Sequence, residues 1–129
     1  MLWDVYGDNL NYNVLSGHKS AVLEVKWRKK DPSNIISCSA DKTLGVWDSN
    51  KGRCIRKLTQ HNGIVNTCAI GDNVPNLIVS GSDDNTARLW DDRSKWQVAV
   101  MPHTYQVTSV AVDSEGETVY TGGIDNIIR

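Results

Sequence analysis

Short apolar runs separated by compact polar clusters recur along this chain. Val22 to Trp27, Ile35 to Ser39, Thr43 to Trp47 and Cys54 to Leu58 form one set. Val65 to Ile70, Leu77 to Ser80, Thr86 to Trp90 and Trp96 to Met101 form a second. A third opens with Val107 to Val112 and Thr118 to Thr121 and starts again at Ile127. The runs are short, rich in Val, Ile, Thr and Trp, and bounded by Gly, Asn, Asp, Ser or Pro, which is the pattern of β-strands. Ahead of them, Met1 to Asp4 reads as the end of a strand, Val5 to Asn11 as a loop and Tyr12 to Leu15 as an outer strand. No stretch keeps the period of an amphipathic helix, so the pattern predicts an all-β chain.

The sharpest element is the hairpin Ser80-Gly81-Ser82-Asp83-Asp84-Asn85-Thr86-Ala87-Arg88-Leu89-Trp90-Asp91, two strands around turn chemistry. It recurs. Ser39-Ala40-Asp41-Lys42-Thr43-Leu44-Gly45-Val46-Trp47-Asp48 is an earlier copy, Gly123 to Arg129 begins another, and Leu2-Trp3-Asp4 is the tail of one more. Trp3, Trp47 and Trp90 are 44 and 43 residues apart, and Asp41, Asp84 and Asp125 are 43 and 41 apart. The three histidines, His18, His61 and His103, are spaced 43 and 42, each four residues before a valine. No histidine is left over for a separate site. A fixed period of this size marks a repeat architecture in which neighbouring units share a core.

A period near 43 with Gly-His early and Trp-Asp late resembles the WD-repeat family. The resemblance implies a β-propeller fragment of about three four-stranded antiparallel blades, part of a ring of about seven. On this reading residues 1–15 end a preceding blade, 16–58 and 59–101 are blades, and 102–129 is an incomplete one. Such a chain is expected to be a segment of a larger ring or to pair end to end through its open strand edges. The resemblance also implies a hydrogen-bonded tetrad in each blade, by position His18, Ser37, Asp41 and Trp47, then His61, Ser80, Asp84 and Trp90. The third blade offers His103, Thr121 and Asp125. The chemistry suits the roles: indole donates, a hydroxyl both accepts and donates, and a carboxylate only accepts.

Ser, His and Asp are also the parts of a hydrolase triad. Here the trio occurs in three registers, its Ser would face an indole, and no G-x-S-x-G elbow or G-x-x-x-x-G-K loop is present. No enzyme, cofactor or small-molecule substrate is expected. Binding is the function that remains, and propeller modules bind through loops on the narrow face. The candidates are Lys19, Ala21 and Ala40, then Asn62, Ile64 and Asp83, then Thr104, Gln106 and Ile124.

Several pieces lie outside the repeat motif: Leu2-Trp3-Asp4-Val5-Tyr6-Gly7-Asp8 with Asn11-Tyr12, Thr104-Tyr105-Gln106-Val107, and Gly122-Gly123-Ile124-Asp125-Asn126. They resemble the WD-repeat subunits of the spliceosomal U5 small nuclear ribonucleoprotein. That likeness implies a nuclear scaffold in pre-mRNA splicing, docked on the large U5 scaffold protein and its GTPase and helicase partners. It touches RNA only indirectly. The alternative is a generic adaptor propeller, such as a ubiquitin-ligase substrate receptor or a signalling scaffold. Two departures from the pattern are Gly45 inside a strand, where glycine weakens packing, and Pro102 before the loop histidine.

Composition changes this picture little. The 129 residues carry a net charge of −1, which gives no electrostatic pull toward nucleic acid. Lys26, Arg28, Lys29 and Lys30 read as a solvated turn. No apolar run reaches the length of a membrane helix and no signal peptide is evident, so a soluble, non-secreted protein without membrane contact is expected. Cys38, Cys54 and Cys68 are odd in number and lack a C-x-x-C pair, so they read as reduced thiols in strands with no metal site.

Overall fold

The computed structural model describes residues 2–3, 11–31, 33–74, 76–94 and 96–129. Of the loop expected over Val5 to Asn11, residues 5–10 lie outside them, and Asn11 stands in a strand instead. Twelve strands and no helix are present among the described residues. They are β1 (Leu2–Trp3), β2 (Asn11–Asn13), β3 (Val22–Trp27), β4 (Asn34–Ser39), β5 (Leu44–Asp48) and β6 (Arg53–Leu58), followed by β7 (Val65–Ile70), β8 (Leu77–Ser82), β9 (Thr86–Asp91), β10 (Gln97–Pro102), β11 (Val107–Val112) and β12 (Val119–Gly123). Consecutive strands pair antiparallel into sheets β3-β4-β5-β6 and β7-β8-β9-β10, with two-stranded β11-β12 and β1-β2 at the ends. The restart expected at Ile127 is a single bridge between Gly122 and Ile128.

The same irregularity opens each inner strand. Pairing slips by one residue after Val22, Val65 and Val107, so the bulge repeats with the sequence. The turn after each repeat's aspartate, Asp41, Asp84 and Asp125, recurs too. Lys42, Asn85 and Asn126 all take positive φ, 72°, 64° and 62°. Asparagine tolerates this conformation readily, and lysine does so less well.

Because one sheet's strands present alternate residues to its two neighbours, the core is a set of inter-sheet layers. Ile36, Cys38, Leu44, Val46 and Leu58 of the first sheet meet Val65, Cys68, Ile78 and Trp90 of the second. Ala69, Val79 and Ala87 of the second meet Val107 and Val110 of the third. Trp90 is completely buried in the first layer. A ring of that size removes about 200 Å² from water, about 5 kcal/mol as an upper bound. The stack leaves apolar side chains on its outward faces, including Val25 (58% exposed) and Trp27 on β3 and Val98 on β10.

Gly45, expected to weaken its strand, has a packing role instead. A Cβ there would lie 2.5 Å from Nε1 and 2.8 Å from Cε2 of Trp47. At the six-membered ring of the same indole, a Cβ on Gly17 would come within 3.1 Å of Cη2. Trp47 packs closely against two glycines.

Candidate functional site

The repeated polar residues converge where the loop before each inner strand meets the hairpin of the same sheet. In the first sheet Trp47 Nε1 donates to Ser37 Oγ at 2.8 Å, and Ser37 lies 2.7 Å from His18 Nε2. His18 Nδ1 is 2.9 Å from Asp41 Oδ2. The second sheet repeats this with Trp90 to Ser80 at 2.8 Å, Ser80 to His61 at 2.7 Å and His61 to Asp84 at 2.8 Å. One proton arrangement satisfies every member: indole N–H to hydroxyl oxygen, hydroxyl O–H to Nε2, and Nδ1–H to carboxylate. Each imidazole also tilts against its tryptophan, at centroid distances of 5.7 and 5.9 Å.

The carboxylates accept several further bonds. Asp41 takes the backbone N–H of Lys19 and both the N–H and hydroxyl of Thr43; Asp84 takes the corresponding groups of Asn62 and Thr86. Burial alone would raise both carboxyls. The bonds from Thr43, Lys19 and His18 outweigh it and hold Asp41 well below the carboxylate range. Thr86, His61 and Asn62 do the same for Asp84, at about 2. Burial pushes the His61 imidazole down despite Asp84 beside it, so it is neutral when bonded.

The third set departs from expectation. His103 Nε2 lies 2.8 Å from Thr121 Oγ1, but its Nδ1 bonds the Met101 carbonyl at 2.9 Å and not Asp125. Asp125 instead accepts from Arg129 Nη1 at 2.6 Å. The reasons are local. The β10 strand runs on through Pro102, and His103 N–H bonds the Asn85 carbonyl, which sets the ring beside its own strand. The Arg129 guanidinium then offers Asp125 a charge-assisted bond.

Arg88 is a participant that sequence reading misses. It stands at the position of Gly45 in the next repeat, is buried, and bonds Thr86 Oγ1 and Gln97 Oε1, with Nη2 3.6 Å from Asp84. The basic turn, in contrast, is largely neutralised: Lys26 pairs with Glu24, Arg28 with Asp92 across the two sheets, and Lys29 with Asp72.

Ser37 and Ser80 are buried against indoles, and a hydrogen bond with Cys38 together with burial holds the Cys68 thiol far above its usual range. The expected binding residues lie at the loop ends beside the tetrads. Lys19, Ala21, Asn62, Ile64, Asp83, Thr104 and Ile124 are exposed, while Ala40 and Gln106 are half-buried. Tyr105, between Thr104 and Gln106, is 51% exposed and adds an aromatic ring to this rim. Asp83 is held there by Asn66, which donates to its Oδ1 at 2.7 Å and to the Val107 carbonyl of the next sheet.

Three consecutive units of the chain match the WD domain, G-beta repeat, over residues 10–48, 52–91 and 95–129. The chain belongs to the WD40 repeat family. Its sheets are WD40 blades, and the chain is an all-β propeller fragment. Among relatives, it is 47% identical to the U5 small nuclear ribonucleoprotein 40 kDa protein of Dictyostelium discoideum, over 99% of this chain and 36% of that protein. It is 38% identical to the pre-mRNA-splicing factor cwf17 of Schizosaccharomyces pombe, over 100% of this chain and 38% of the relative. The Homo sapiens U5 small nuclear ribonucleoprotein 40 kDa protein is 42% identical over 96% of this chain and 34% of its own length. This WD40 chain therefore spans little more than a third of the relatives it matches.

Proposed function

We propose that this chain is a non-catalytic protein-interaction scaffold of the U5 small nuclear ribonucleoprotein, acting in the nucleus in pre-mRNA splicing. The observation that carries the reading is the 47% identity along 99% of the chain to a relative bearing that name. Geometry agrees with the non-catalytic half of it, because the Ser, His and Asp side chains spend their hydrogen bonds on one another and on the indoles. On this proposal residues 16–58, 59–101 and 102–129 serve as consecutive blades, with 1–15 closing a preceding one. The rim formed by Lys19, Asn62, Ile64, Asp83, Tyr105 and Ile124 meets protein partners, among them the large U5 scaffold protein and its GTPase and helicase. RNA is reached through those proteins, since a net charge of −1 offers little for phosphate.

The test is purification of the tagged full-length protein from nuclear extract, with the bound RNA and proteins identified. U5 RNA and U5 proteins are expected together. Recovery of a ubiquitin-ligase or signalling complex without U5 RNA would overturn the splicing assignment and favour a general adaptor. Tight, salt-sensitive binding of the chain to bare RNA would overturn indirect RNA contact.

A further inference from the structure

The layer between the first two blades holds a cluster that the tetrads do not use. Glu24 on β3, Cys38 on β4 and Cys68 on β7 bring one carboxylate oxygen and two sulfurs within 4.8 Å of one another. Both cysteines are fully buried, whereas the Glu24 side chain keeps 28% exposure and opens the cluster to the inner rim of the stack. Glu24 is already oriented from both sides. Its Oε2 accepts the Cys68 backbone N–H at 3.1 Å, and its Oε1 pairs with Lys26 Nζ at 3.1 Å.

We propose that Glu24, Cys38 and Cys68 form a binding site for one thiophilic divalent cation, of the zinc and cadmium type, joining the two blades. Two thiolates and a carboxylate are donors that such a cation takes, with metal–ligand lengths of about 2.3 Å to sulfur and about 2.0–2.2 Å to oxygen. Tetrahedral placement at those lengths needs donor separations of about 3.5–3.8 Å, within reach of side chains already inside 4.8 Å. Charge also balances. Two thiols release two protons as the doubly charged cation enters, and Lys26 continues to offset Glu24, so the cluster's net charge is the same with or without the ion. The bonds from Cys68 N–H and Lys26 supply the outer support that fixes a ligating carboxylate. Water entering beside Glu24 completes the fourth position. No local spacing announces the site, because Glu24, Cys38 and Cys68 are 14 and 30 residues apart and on different strands.

The experiment titrates reduced, metal-stripped full-length protein with cadmium and follows the ultraviolet thiolate-to-metal charge-transfer band. One equivalent is expected, with the band lost in Cys38→Ser and in Cys68→Ser and kept in Cys54→Ser, whose thiol bonds the Arg56 carbonyl elsewhere. Glu24→Gln should weaken binding about tenfold or more. Zinc should raise the melting temperature of the parent and not of the Cys38→Ser, Cys68→Ser double variant. Absence of the band in the parent, its survival in the double variant, or undiminished affinity in Glu24→Gln would each overturn the three-ligand site. X-ray absorption of the zinc-loaded parent needs no variant: two sulfurs in the first shell are expected, and fewer than two refutes the proposal.

Discussion

Gly45→Ala tests whether the tetrad tryptophan sets the limits on its own strand. The added Cβ would sit 2.5, 2.8 and 3.0 Å from three atoms of the Trp47 indole, closer than carbon atoms approach without displacement. That indole is 2% exposed, bonded to Ser37 at 2.8 Å, and also in close contact with Gly17. Trp90 makes the same bond with Arg88 in the equivalent place, so a pose that admits a side chain exists. Reaching it means moving Trp47 off Gly45 within a closely packed site. Overpacking of this kind costs about 1–3 kcal/mol. Gly122→Ala is the control, since a Cβ there meets only Ser109 at 3.9 Å, and it should be neutral or stabilising by about 0.4–1 kcal/mol. Urea unfolding of the folded protein, read by tryptophan fluorescence, measures both. Equal stability of the two variants, with unchanged emission, would refute the idea that glycine is required here.

Three other outcomes follow from the same contacts. Trp90→Ala, which opens a cavity in the first inter-sheet layer, should cost about 3–5 kcal/mol in urea unfolding. Asp84→Ala should cost about 1–3 kcal/mol at neutral pH by leaving His61 and the Asn62 and Thr86 N–H groups unpaired. Lys42→Asn should stabilise by about 0.5–1 kcal/mol, measured as a rise in melting temperature, because asparagine accepts a φ of 72° more readily.

Strands and tetrads were legible because their signals are local or strictly periodic. Val22 to Trp27, Val65 to Ile70 and Val107 to Val112 are strands with the expected limits. The spacing of His61, Ser80, Asp84 and Trp90 carried over to a hydrogen-bonded chain. Asp125 shows where periodicity stops informing. Its spacing matches, yet a guanidinium four residues away and the path of β10 into His103 decide its partner. Gly45 read as a defect because propensity rules count entropy and do not see an indole two residues on. Arg88 gave no signal at all, since its bonds to Gln97 and Thr86 depend on the fold of one hairpin. The meeting of Cys38 with Cys68 depends on how two blades pack, and a pattern read within one repeat cannot contain it.

The carboxylate at the end of the second tetrad makes a pH prediction with a definite sign. Asp84 ionises at about 2 when folded, against an ordinary 3.8. A depressed carboxyl contributes stability that is complete above the unfolded value and fades as pH falls through 3.8 toward 2. The carboxyl is 6% exposed, so little screening intervenes, and a shift of this size corresponds to about 2 kcal/mol in full, of which about 1 kcal/mol is lost by about pH 3. His61 acts in the same direction, since burial lowers its folded value and the unfolded imidazole takes up a proton below about pH 6.5. Asp92 opposes both, because burial outweighs Arg28 and raises its carboxyl. A single pH profile therefore mixes signs, and the difference between parent and Asp84→Asn isolates the tetrad. In urea unfolding, the stability gap between the two should narrow by about 1 kcal/mol from about pH 7 to about pH 3. A gap that holds constant or widens over that range would mean that the Asp84 carboxylate is not the acceptor on which the second tetrad rests.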